Sequence, residues 1–175
     1  GTLAKWAQAG CLVHHLVLTD GSKGTWNADA DITQLIAQRE IEQREAARRL
    51  GAKGEVVFMH QVDGDLTDTR ELRGEIARQI RRLRPQVVLG HDPWKRYRLH
   101  PDHRHAGFLT CDAIVAARDP HFFKEHAIAH HRPQHLLLWE ADEPDHGEDI
   151  GSFVDQKISA LLAHETQFES TMKAI

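Results

Sequence analysis

Short apolar runs along the chain alternate with stretches whose apolar residues recur every three to four positions, the pattern of strands alternating with amphipathic helices. Residues 2–8 read as the end of a helix closed by Gly10, and residues 11–19 (CLVHHLVLT) as a strand. A turn-rich loop at 20–24 precedes a helix predicted over 31–50. Ile32, Leu35, Ile36, Ala46, Ala47 and Leu50 share its face, Asp31 caps it and Gly51 ends it. A buried strand at 55–60 (EVVFMH), a turn at Asp63-Gly64-Asp65 and a second amphipathic helix over 67–84 follow, with Pro85 as the stop. Residues 86–90 (QVVLG) form the next predicted strand. A polar loop at 91–99 then leads into a helix over 101–117, whose first turn suits Pro101. No element is assigned to 118–133; residues 135–140 (HLLLWE) read as a strand and 150–170 as a closing helix.

Strict strand–helix alternation with uniformly apolar strands predicts an α/β fold with a mainly parallel sheet covered on both faces. Ligands in such folds bind beyond the carboxyl ends of the strands, here the loops after Thr19, His60, Gly90 and Glu140. A chain that opens inside a helix is expected to lack its first strand and the loop after it. The 175 residues suit a single domain.

Composition narrows the function classes. The apolar fraction of 41% and charged fraction of 27% are those of a globular protein, and a formal charge of -4 argues against general nucleic-acid binding. No apolar run approaches the roughly 18 residues of a membrane span, so a soluble, cytoplasmic protein is expected. Cys11 and Cys111 lie in apolar runs and cannot make a disulfide framework; both are expected to be free buried thiols. The basic residues at 78–84 are assigned to the exposed face of their helix, opposite Ile76, Ile80 and Leu83.

Histidine is the unusual residue: 14 in all, nine of them from His91 to His135. His121, His126, His130 and His131 are scattered through a polar stretch and read as solvated. His100-Pro101-Asp102-His103 differs, because two imidazoles three residues apart at a helix start can converge on one small target. Zinc takes nitrogen and oxygen ligands, and a catalytic site usually has three of them plus an open position, so this pair alone cannot complete one.

Read in order, Thr19-Asp20-Gly21, Arg39-x-x-Glu42 with Ala46-Ala47-x-x-Leu50-Gly51, Asp63-Gly-x-Leu66, Arg84-Pro-x-Val-Val88, His100-Pro-Asp-His103 and His164-x-x-Gln167 cover nearly the whole chain. Together they resemble the LmbE-like, or PIG-L, metal-dependent deacetylases. The resemblance implies a Rossmann-like three-layer fold, one zinc ion (ferrous iron being another fit for the donors), and hydrolysis of an N-acyl group, often N-acetyl on a glucosamine-containing substrate. It also implies a first box, His-Pro-Asp-Asp, supplying a histidine and an aspartate to the metal and a second aspartate as general base. No such box occurs in this sequence, which is expected to be N-terminally incomplete.

By the same resemblance His103 matches a metal ligand, and His100 the histidine that stabilises the oxyanion or protonates the departing amine. Asp102 is expected to accept a hydrogen bond from His100 and fix its tautomer. Arg39 and Asp63 match substrate-proximal positions, although a helix-surface pair with Glu42 and an ordinary turn account for them equally. Tyr97 can reach a substrate carbonyl, Trp94 can form a sugar-binding wall, and His91 and Asp92 line the pocket; His164 is read as solvated. A small amino sugar is the expected partner, and a homo-oligomer is compatible. The competing reading is a non-catalytic small-molecule-binding relative with a degenerate metal site. A nucleotide-binding domain is disfavoured because Asp20-Gly-Ser-Lys-Gly24 lacks phosphate-loop spacing.

Overall fold

The computed structural model describes residues 1–168. They fall into two compact units, one comprising Gly1–Asp63 with the chain from His146 onward, the other Gly64–Asp145.

The first unit holds α1 (Thr2–Gln8), β1 (His15–Thr19), α2 (Ile32–Leu50) and β2 (Val56–Gln61). As predicted, the Asp31 side chain caps α2 by accepting from Gln34 N–H, and Gly51 closes it with a left-handed φ of 78°. β1 and β2 pair in parallel, His15 opposite Val56 and Thr19 opposite Gln61. β1 is shorter than the apolar run suggested. Upstream of it, the Val13 carbonyl accepts from Gly54 N–H and the His14 ring from Glu55 N–H, so residues 13 and 14 are held without a ladder. The predicted closing helix is broken into a 3-10 turn at Gly151–Phe153, α5 (Val154–Leu161) and a second 3-10 turn at Glu165–Gln167; its expected end at 170 lies outside the described residues. α5 and the turn after it pack on α2 through small side chains, Ala46, Ala160 and Ala163, with Leu50 against them. Glu42, 3% exposed, is tied down by Thr166, whose N–H and hydroxyl both donate to it.

The second unit holds α3 (Arg70–Leu83), β3 (Val87–His91), α4 (Pro101–Arg118) and β4 (His135–Trp139). Thr69 starts α3 by accepting from Leu72 N–H, three residues later than the pattern placed it. β3 and β4 are parallel and in continuous register, Val87 opposite His135 through His91 opposite Trp139. Leu72, Ile76, Ala77 and Ile80 of α3 and Leu109, Ala113, Ala116 and Ala117 of α4 form the buried interior.

Three expectations fail here, for Arg81, for two histidines and for the burial of the cysteines. Arg81 is 3% exposed, not on the solvent face: it donates to the carbonyls of Ala116, Ala117, Asp119, Phe122 and Phe123. These include groups at the carboxyl end of α4 that have no partner inside the helix, and a cation there meets the negative end of the helix dipole. Nor are His126 and His131 simply solvated: the first stacks on Phe123 at 5.2 Å, the second has Nε2 2.7 Å from the Pro85 carbonyl. Cys11 is exposed and Cys111 half-buried, both free. No helix among the described residues is long and apolar enough to cross a membrane.

Candidate active site

The site in the second unit is built where α4 begins against the end of β3. Helix and strand come close because Gly107 leaves no side chain between them: a Cβ there would lie 2.7 Å from the His91 carbonyl oxygen and 2.9 Å from Pro93. His100 is the N-cap of α4 and Pro101 opens its first turn, which sets His103 one turn in, beside the last residue of β3. Three imidazoles consequently stack. The His100 and His103 rings lie 4.7 Å apart and 19° from parallel, and His103 and His91 are 4.4 Å apart at 12°. Convergence of His100 and His103, expected from their spacing, is therefore present.

Strand register supplies the next contact. Trp139 is opposite His91, and its indole Nε1–H donates to His91 Nδ1 at 2.8 Å. That bond requires an unprotonated Nδ1, so His91 carries its proton on Nε2. Burial pushes the His91 pKa down to about 4, with the neighbouring His103 and Arg98 acting in the same direction. Loss of solvation, then His100 and Arg98, also lower the His103 pKa. Neutral imidazole is the form that donates a lone pair to a metal, so His103 suits a divalent ion.

An open cavity of about 540 Å³ adjoins the stack, with Tyr97, Arg98, His100, His103 and Glu140 among its lining residues. Tyr97 is 85% exposed at its rim. Arg98 and Glu140, which the sequence pattern did not single out, form an ion pair of 2.5 Å in the wall, and the guanidinium holds the Glu140 carboxyl below its ordinary range. Both flanking backbones are unusual: Tyr97 and Glu140 have φ of 59° and 62°, costly for residues with a Cβ and concentrated at functional sites. Positive φ cannot be read from a single sequence unless glycine marks it. Trp94 lies edge-on to Phe108 at 5.8 Å and is itself exposed.

Asp102 is buried in the first turn of α4. It is 5% exposed, and its two oxygens accept from the backbone N–H groups of Gly64, at 2.7 Å, and Leu66, at 3.1 Å. The carboxylate thus anchors the 64–66 turn to the first turn of α4, where negative charge is favourable.

Arg39 and Asp63 belong to the first unit. Arg39 donates to the carbonyls of Gly21 and Gly24, each at 2.7 Å, and the loop after β1 wraps it so closely that a Cβ at Gly24 would collide with Nη1. Asp63 N–H donates to Asp20 Oδ1 at 3.1 Å while its own carboxylate accepts from Lys23 N–H. These bonds join the loops at the carboxyl ends of β1 and β2. His164 is not simply solvated: burial lowers its pKa, and Nδ1 is buried without a partner among the described residues.

The sequence profile of the PIG-L family, GlcNAc-PI de-N-acetylase, matches residues 1–114. Diacetylchitobiose deacetylase of Thermococcus kodakarensis is 38% identical over 171 residues, 96% of this chain. The chain belongs to the PIG-L family. This PIG-L chain spans 64% of the length of that relative. It is also 29% identical, over 142 residues, to the Mycobacterium leprae 1D-myo-inositol 2-acetamido-2-deoxy-α-D-glucopyranoside deacetylase, covering 66% of this chain and 45% of the relative. Among solved structures it superposes on N,N'-diacetylchitobiose deacetylase from Pyrococcus horikoshii with a TM-score of 0.90 at 29% identity, covering 95% of this chain and 64% of that one. The fold is accordingly the Rossmann-like α/β fold of the family.

Proposed function

We propose that this PIG-L chain is part of a zinc-dependent hydrolase that removes the N-acetyl group from an N-acetylglucosamine-type sugar or a related conjugate. The observation that carries the reading is the near-parallel pair His100 and His103 on the wall of one open cavity. The relatives named as deacetylases support it.

His103 would hold the metal, its imidazole being neutral and supported on its far face by His91. Zinc, when bound, supplies Lewis acidity that makes water a nucleophile near neutral pH; ferrous iron suits the same donor. His100 sits next to that ligand without being needed as one. Its ring hydrogen-bonds the amide oxygen as charge develops there, and it is the group placed to pass a proton to the departing amine. The Tyr97 hydroxyl, at the cavity rim, is assigned to a substrate oxygen. Asp102 contributes by fixing the first turn of α4, and so the positions of both histidines. In the first unit, Arg39 and Asp63 shape the loops that follow β1 and β2, and substrate contact is assigned to those loops.

The test is acetate release from N,N'-diacetylchitobiose by the full-length protein. The reading requires release that a chelator abolishes and added zinc restores. Release indifferent to chelation rejects the metal-dependent reading.

A further inference from the structure

One charged group in the cavity wall has no part in the chemistry above. The Arg98 side chain is 8% exposed, and its ion pair with Glu140 occupies only one edge of the guanidinium. Nε and Nη2 are buried and have no hydrogen-bond partner among the described residues. Buried donors are rarely left unsatisfied, because their lost hydration is not recovered, so an unpaired donor edge on a residue that lines a cavity calls for an acceptor. Nε–H and Nη2–H lie side by side on that edge, the geometry that receives two oxygens of one group at once.

The surroundings hold this edge in place. Arg104 donates to the Arg98 carbonyl at 2.9 Å, and Glu140 stands at the end of β4 with its left-handed backbone. Glu140 itself is 57% exposed, so the pair is not a desolvated bridge of the interior; its effect is to orient a guanidinium next to His100 and His103.

We propose that Arg98 is a ligand-binding residue of this site, its Nε–H and Nη2–H edge receiving a pair of oxygens from the ligand, with Glu140 as the residue that positions it. Two sources offer such a pair: neighbouring hydroxyls of the sugar, and the carboxylate of the acetate released. The inference rests on the amino-sugar deacetylase reading for the identity of these ligands, but its test does not depend on turnover.

Arg98→Lys keeps the charge and removes the paired edge. Binding of glucosamine and of acetate to the zinc-loaded full-length protein is measured separately by calorimetry, and KM and kcat for N,N'-diacetylchitobiose in parallel. A lost charge-assisted pair predicts about ten- to a hundredfold weaker binding of one of the two products. Where the sugar is the one affected, KM rises by a similar factor and kcat changes much less, as for uniform binding. Weakening confined to glucosamine assigns the edge to hydroxyls, and weakening confined to acetate assigns it to the carboxylate. Glu140→Gln, which leaves the guanidinium but loosens it, is expected to shift the same ligand in the same direction by a smaller factor, and covers the case in which Arg98→Lys does not fold. Unchanged affinity for both products in the folded variant overturns the proposal, even if the protein proves to be a deacetylase. Weakened affinity in a protein that releases no acetate sustains the proposal and rejects the hydrolase reading instead.

Discussion

Trp139 Nε1–H donates to His91 Nδ1 across 2.8 Å, and His91 in turn stacks on His103. The contact follows from the parallel register of β3 and β4, which sets these two residues opposite one another at the strand ends. A residue 48 positions away in sequence thereby fixes the tautomer of the ring that supports the assigned metal ligand.

Removing only that donor tests the linkage. Trp139→Phe keeps a ring on a half-exposed site, so the fold is expected to survive. In long-range proton–nitrogen spectra His91 of the parent protein is expected to show protonation at Nε2 alone, and in the variant a mixture of both tautomers. An unchanged His91 pattern contradicts the assignment.

Asp102 anchors two backbone donors, and an amide cannot accept from both as a carboxylate does. Asp102→Asn is therefore expected to lower stability by about 1–3 kcal/mol, the usual cost of leaving a buried partner unsatisfied. Chemical denaturation measures it. An unchanged unfolding midpoint would mean that the turn at 64–66 is held by something else.

Arg81 is the strongest structural prediction of the second unit. Arg81→Met retains much of the side-chain bulk but leaves the Ala116 and Phe122 carbonyls without their donor, and strips the cation from those of Ala117, Asp119 and Phe123, which keep a backbone N–H. A loss of roughly 3 kcal/mol or more is expected, since several buried acceptors lose one cation together. A loss below about 0.5 kcal/mol, the range of ordinary surface changes, contradicts the buried-cap account.

Arg81 also shows where reading the sequence stops. Periodicity marks the apolar face of α3, and by that rule Arg81 belongs to the polar side. The carbonyls that bury it come from residues 35–42 positions later, and nothing local encodes their arrival. The same holds for Asp102, whose backbone partners lie 36 and 38 residues upstream, and for Arg98 with Glu140. What was legible is local: Asp31 and Gly51 bounding α2, Pro101 opening α4, and two histidines spaced so that one helix turn brings them together. β1 is shorter than its apolar run: ahead of the ladder, Val13 and His14 are tied to Gly54 and Glu55 instead. The breaks in the closing helix were not legible, because local hydrophobicity does not report where turns interrupt a helix.

The central claim is a division of labour between two adjacent imidazoles, and it is tested most directly by measuring zinc content and acetate release together in His100→Ala and His103→Ala of the full-length protein. His103→Ala is expected to lose bound zinc and activity together. His100→Ala is expected to retain zinc while kcat falls about 10²–10³-fold, the effect of losing one oxyanion donor. Zinc retained in His103→Ala, or full turnover in His100→Ala, would contradict the account.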